Sequence, residues 1–246
     1  MSKNLVIAID GPAGSGKSTT AQLVAQKLGF VYIDTGAMYR AITHLAIRNK
    51  ALGNNSKIIE LAANGDIDIK FENGVTNISI NGEDLTDKIR SLDVNNNVSD
   101  VSKIEEVRKI LVRKQREIGS KATSVVMEGR DIATVVFPNA DVKIFLTATI
   151  DERAKRRAKE YAENGNEIPV TEIKDNLKNR DQIDSSREVS PLVKAEDAIV
   201  VDTSYVTIEE QVDIILQEVK RTAENLGIDV KINWEFEKPK QTTMLN

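Results

Sequence analysis

Leu5-Val6-Ile7-Ala8-Ile9-Asp10-Gly11-Pro12-Ala13-Gly14-Ser15-Gly16-Lys17-Ser18 is the stretch on which the fold turns. Its first six residues form an apolar, β-branched run suited to a parallel strand buried on both faces, and the glycine-rich segment then breaks it. From Ser18 to Leu28 the apolar residues Ala21, Leu23, Val24, Ala25 and Leu28 recur at helical spacing, which predicts a helix starting at Lys17 and closed by Gly29. Val31-Tyr32-Ile33-Asp34 predicts a second strand. Strand, glycine loop, helix and strand together make a βαβ unit, and that unit implies an α/β fold with a parallel sheet covered by helices.

Gly11 to Ser18 also matches G-x-x-x-x-G-K-[ST], between a strand and a helix start where the pattern has a physical meaning. Glycines let backbone N–H groups curl around phosphate oxygens, and the helix N-terminus adds the positive end of its dipole. Gly11, Pro12, Ala13, Gly14, Ser15, Gly16, Lys17, Ser18 and Thr19 are therefore the candidate nucleotide-phosphate site. Lys17 would reach the outer phosphates, and the Ser18 hydroxyl would ligate Mg²⁺. A switch GTPase would carry a guanine-reading N-K-x-D after a strand, which is absent, and a large motor would need more chain. A small kinase fits the length, and it requires a second, acceptor site.

The remaining pattern continues the alternation of helix and strand. A helix is predicted around Met38 to Lys50. Asp66 to Phe71 and Asn77 to Gly82 then alternate with period two around Glu72-Asn73-Gly74, which predicts a small antiparallel hairpin inserted into the α/β core. Helices follow at Glu105 to Ile118, Asp151 to Asn164, Val170 through Arg187 and Thr207 to Leu226; strands follow at Ser124 to Met127, Val142 to Leu146 and Ala198 to Val201. The tail from Asp229, with Trp234, Phe236 and Pro239, breaks this rhythm and reads as a packed arm or a disordered end.

Composition narrows the chemistry. The 246 residues contain no cysteine and one histidine, which excludes disulfides, a thiolate nucleophile and a multi-histidine metal centre. His44 falls in the apolar-periodic stretch Ala41 to Ile47 and reads as a helix-surface or core-edge residue. The net charge of -4 argues against a surface that coats nucleic acid, although it can conceal a locally basic cleft. No apolar run approaches the length of a membrane span, so neither a membrane nor a nucleic acid is expected as a partner, and cytoplasmic residence is the expectation.

Arginines recur in short polar clusters after the strands. Asp34-Thr35-Gly36-Ala37-Met38-Tyr39-Arg40 places Arg40 near the carboxyl edge of the sheet, where α/β proteins bind ligands, and Glu128-Gly129-Arg130-Asp131 also follows a strand. Arg180, Asp184 and Arg187 are spaced to share one face of a helix.

IDGPAGSGKST at Ile9 to Thr19, DTGAMYR at Asp34 to Arg40, VSDVSKIEEVRK around Ser99 and Arg108, EGRDIATVVFP at Glu128 to Pro138 and RDQIDSSREVSPL at Arg180 to Leu192 occur in this order. With them the chain resembles the bacterial cytidylate kinases, members of the nucleoside monophosphate kinase group, over nearly its whole length. The resemblance implies a three-layer P-loop kinase fold with a central five-stranded parallel sheet, a small antiparallel β insert for the acceptor at 62–91 and a helical lid at 151–170 on a core spanning 1–246. It implies γ-phosphoryl transfer from ATP, with Mg²⁺, to CMP and dCMP by a monomeric enzyme. By the same resemblance, Ser99, Arg108 and Asp131 would read the cytosine, whose amino donor and ring acceptors call for a carboxylate and a donor. Arg40 and Arg130 would hold the acceptor phosphate, with Thr35 and Tyr39 beside them, while Arg180, Asp184 and Arg187 would engage the sugar and the phosphoryl region. Lys17, Arg130, Arg153, Arg157 and Arg187 would form the catalytic set, Arg153, Arg156 and Arg157 being lid residues that close over ATP. Thr35 stands where some relatives have Ser, which adds a methyl group near the acceptor.

Overall fold

The computed structural model describes residues 4–72, 75–163 and 165–234. The turn residues Asn73 and Gly74, the predicted helix end at Asn164, and Phe236 and Pro239 of the tail lie outside the described residues.

Five parallel strands form the central sheet: β1 (Val6–Asp10), β2 (Val31–Asp34), β6 (Val125–Gly129), β7 (Val142–Thr147) and β8 (Ile199–Asp202), in the spatial order β2-β6-β1-β7-β8. Strand β1 lies in the middle, with Ile7 opposite Val126 on one side and Val142 on the other. Its alternate side chains feed two cores. Ile7 and Ile9 pack with Val24 and Leu28 of α1 (Lys17–Leu28) and with Val212, Ile215 and Val219 of α8 (Ile208–Leu226). Ala8 faces the other way, toward Met127 and toward Val112 of α5 (Glu105–Lys121). A strand flanked on both edges and covered on both faces needs an all-apolar run, which is what Val6 to Ile9 supplies.

The α2 helix (Thr35–Arg48) starts three residues earlier than periodicity alone predicts, because the Asp34 carboxylate accepts from the Ala37 N–H at 3.1 Å and caps it. His44 lies half-buried on this helix. A short α3 (Asn55–Asn64) leads into an antiparallel sheet of β3 (Ile67–Glu72), β4 (Val75–Ile80) and β5 (Glu83–Asp84), so the predicted hairpin carries a third strand. Ile67 opposes Ile80 and Ile69 opposes Ile78, which joins the inward side of this sheet to the core around α2. Phe71 meets the Tyr32 ring edge-on, with centroids 4.9 Å apart, and this ties the insert to the main sheet.

A 3₁₀ turn at Lys88–Arg90 and α4 (Leu92–Ser102) follow the insert. The last third holds α6 (Ile150–Glu163) and α7 (Val170–Ser186), which share a small core of Ala154, Ile173 and Leu177 with Ala13 of the glycine loop. Helix α7 ends one residue short of the predicted boundary: Arg187 is extended (φ −63°, ψ 141°), so it follows Arg180 and Asp184 as a cap residue and does not share their helix face. The tail packs as an arm up to the last described residues, with Val230 and Ile232 against the sheet core and the Asn233 N–H donating to the Lys27 carbonyl on α1.

Candidate active site

The glycine loop leaves β1 at Gly11, where a Cβ would stand 2.0 Å from the Leu146 carbonyl oxygen, so no larger residue fits this close crossing of β7. Gly16 caps α1 in a left-handed conformation (φ 90°) with no side chain closing the helix end, which leaves the first N–H groups of α1 open to an anion. Lys17 Nζ donates to the Pro12 carbonyl at 3.0 Å and curls back over the loop. Burial and the nearby Arg130 push this amine down from 10.5 to about 7, against the pull of the Glu128 and Asp34 carboxylates. A phosphate arriving here meets a lysine whose cation is desolvated and poorly paired.

The loop opens into a cavity of about 570 Å³ between the carboxyl ends of β1, β2 and β6, the insert and the α6–α7 pair. Nine cationic side chains line it against five carboxylates, in a chain whose total charge is -4. The site therefore concentrates positive potential that the composition as a whole conceals. Across the cavity from the loop, Arg108 is fully buried; it donates to Asp131 at 2.6 Å and to the Ser102 carbonyl at 3.2 Å, and it lies over the Tyr39 ring at 5.1 Å. Its Nε and the Tyr39 hydroxyl are buried without partners. Arg130 donates through Nε to Asp184 at 2.9 Å, and Arg187 reaches the other oxygen of the same carboxylate at 3.4 Å. These two neighbours hold Asp184 below the usual carboxylate range although burial opposes it. Arg180 is pushed down to about 9 by burial and then by the like charges of Arg130, Arg157 and Arg40, with Asp184 pulling the other way; its Nε has no partner. Guanidiniums packed this way are short of anions.

The predicted residues divide by what they touch. Lys17, Ser18, Thr19, Thr35, Tyr39, Arg40, Ser99, Arg108, Arg130, Asp131, Arg157, Arg180, Asp184 and Arg187 all line the one cavity. Arg153 does not. Its guanidinium is buried, donating to the carbonyls of Ala13 and Ala148 and in a two-point pair to Asp181 at 3.0 and 2.6 Å, so it clamps α6, α7 and the glycine loop together. The Thr35 hydroxyl is engaged as a donor to the Glu128 carbonyl at 2.7 Å. Arg156, beside the predicted lid pair, lines the cavity while its guanidinium holds Thr203 at 2.6 Å.

Motif reading passed over Arg90, Glu128 and Gln211, which also line the cavity. Glu128 is 3% exposed, accepts from the Tyr32 hydroxyl at 2.7 Å, and has its carboxyl raised by burial. Gln211 accepts from Thr20 at 2.9 Å and fixes α8 against the loop helix. Glu128 opens the EGRDIATVVFP segment, whereas Arg90 lies in a 3₁₀ turn that carries no motif.

A phosphate loop facing a chamber whose second half is built from arginines defines a phosphoryl-transfer enzyme with an anionic acceptor, that is, an ATP-dependent nucleoside monophosphate kinase. The chain belongs to the cytidylate kinase family, whose sequence model matches residues 7–221. It is 49% identical over 217 residues to a cytidylate kinase of Clostridioides difficile, an alignment covering 88% of this chain and 98% of that protein. It is 46% identical over 222 residues to the cytidylate kinase of Bacillus subtilis, covering 90% and 99%. Among solved structures, that of an uncharacterized protein from Eubacterium ventriosum superposes with a TM-score of 0.51 at 14% identity, covering 89% of this chain and 99% of that one, a likeness of fold alone.

Proposed function

We propose that this enzyme transfers the γ-phosphoryl group of ATP to the phosphate of CMP, and of dCMP, giving CDP or dCDP and ADP. The observation that carries this reading is the excess of cations over carboxylates in one cavity that begins at the phosphate loop. The attacking atom is an oxygen of the acceptor phosphate, anionic at neutral pH, so no general base is required. What the protein must do is hold two repelling anions in line and spread positive charge over the transfer. A hydroxyl acceptor would instead need a free carboxylate near Lys17. The carboxylates there are engaged: Asp34 caps α2 and pairs with Arg40 at 3.7 Å, Glu128 accepts from Tyr32, and both oxygens of Asp10 accept backbone N–H groups.

The loop Gly11 to Thr19, through its backbone N–H groups other than at Pro12, and the Lys17 amine take the donor phosphates. Arg40 and Arg130 take the acceptor phosphate; Asp131, Arg108 and Ser99 face the base; Arg180, Asp184 and Arg187 face the sugar and the phosphoryl region, with Thr35 and Tyr39 between. Arg157 covers the transferring group, and Arg153 serves by holding the loop from behind. Ser18 is exposed to the cavity, and no cluster of three ligating His, Cys, Asp or Glu side chains exists among the described residues. One hydroxyl completed by phosphate oxygens and water is a donor set that suits Mg²⁺. An ion held by Ser18 would supply charge neutralisation for the donor phosphates.

The acceptor-binding region at 62–91 and the lid at 151–170 are assigned as closing parts that exclude water, since Arg90 from the first and Arg157 from the second reach the same cavity. The enzyme is read as a monomer of the cytoplasm, acting on two small-molecule nucleotides. No described helix is long and apolar enough to cross a membrane. The test is ADP formation from ATP with CMP, dCMP, UMP and AMP in parallel. CMP and dCMP should be used best; equal use of AMP would overturn the assignment of the base to Asp131 and Arg108.

A further inference from the structure

Asp10 is the last residue of β1, immediately before the phosphate loop, and is 2% exposed. Its Oδ1 accepts from the Ile132 N–H and its Oδ2 from the Ala133 N–H, both at 2.8 Å. These two N–H groups open a single π-type turn, Ile132–Val136, which directly follows Arg130 and Asp131. The first N–H groups of any helical turn lack partners within it and need acceptors from elsewhere. The residue at the cap position cannot serve, because the Asp131 side chain makes no cap bond and is paired with Arg108 at 2.6 Å. One carboxylate from the central strand supplies both acceptors instead, and a two-point bond fixes orientation as well as distance.

We infer that Asp10 is a positioning residue for the acceptor subsite: by gripping the start of this turn it sets where Arg130 and Asp131 stand relative to the phosphate loop. The inference rests on the reading of those two residues as acceptor-side groups. Its chemical consequence is that one side chain fixes the spacing between donor and acceptor, a quantity to which in-line transfer is sensitive. Packing alone does not call for a carboxylate here, since Asn would fill the same volume. Asn, however, offers one carbonyl oxygen, and its amide group would oppose one of the two N–H donors.

The test is the full-length Asp10→Asn variant. Loss of a charged acceptor should lower kcat/KM for CMP by about tenfold to a hundredfold, while ATP affinity of the enzyme without CMP, measured by calorimetry, stays unchanged. Equal losses on both sides, or unaltered CMP use, would overturn the inference. Asp131→Asn is run in parallel: if it leaves CMP use intact, the acceptor reading itself fails, whatever Asp10 does. Should Asp10→Asn not fold, the unaltered protein decides. Burial, with Asp131 adding to it, raises Asp10 to about 6, although the two N–H bonds and the facing Lys17 oppose this. Amide NMR signals of Ile132 and Ala133 should therefore titrate near that pH, and those of Arg130 and Asp131 should move with the same midpoint. Titration confined to Ile132 and Ala133 would show a bond that positions nothing, and would overturn the inference equally.

Discussion

Lys17 shows how much chemistry one burial can set. In the ligand-free protein its amine is held down to about 7 from 10.5, first by desolvation and then by Arg130. The unfolded chain therefore holds this proton more tightly, so Lys17 costs stability below pH 7, and the cost is relieved as pH rises from 7 toward 10.5. Donor phosphates reverse the balance by favouring the charged amine. ATP binding near pH 8 should consequently take up protons, with affinity declining as pH climbs past 7. Calorimetric titration in buffers of differing ionisation enthalpy measures this directly, and a binding enthalpy independent of buffer would show that Lys17 is already charged. Arg153 carries a second residue-level lesson. The family resemblance implied a lid role for it over the nucleotide, whereas its guanidinium is committed to Asp181 and two carbonyls. Spacing along a helix identifies the charge; only the packing of α7 decides where it points.

At the scale of elements, the α6–α7 pair has an apolar core of its own, tied to the rest by polar contacts such as Arg156 to Thr203 and Asp184 to Arg130. It rests on a small core of Ala154, Ile173 and Leu177 that reaches the rest of the molecule through Ala13. Leu177→Ala, at a position 1% exposed, should cost about 2–5 kcal/mol. Because that core is separate from the two flanking the sheet, the loss should appear as faster hydrogen exchange in 150–186 ahead of the strands. Uniform acceleration across the protein would show that the pair does not open by itself. The elements legible from sequence were those with strong local signals: the strand, loop and helix from Val6 to Leu28, the alternating pair around residue 72, and α8 with its Thr207 and Glu210 capping box. Helices α3 and α4 were not. In α4, Asn95, Asn96 and Asn97 are weak helix formers, and the helix exists because Val94, Val98 and Val101 pack inward. The π-type turn at Ile132–Val136 was equally hidden, since what stabilises it is a carboxylate more than a hundred residues away. Most of the site was visible as motifs; which arginine opens to the cavity and which braces its wall depended on contacts distant in sequence.

For the whole molecule, the strand order carries a consequence for biosynthesis. β1 and β2 are consecutive in the chain yet never touch: β6 lies between them, and the other neighbour of β1 is β7. Until Val125 has left the ribosome, the strand leading into the phosphate loop has no partner, and its apolar residues wait in a chain that cannot yet form a parallel pair. Such late closure favours slow folding and exposure to aggregation in the nascent state. A fragment ending at Ser124 should carry helix but no protected parallel sheet, and should bind ATP no better than free peptide. The glycine loop is complete in sequence within the first 18 residues, but it becomes a phosphate site only when synthesis has passed the middle of the chain.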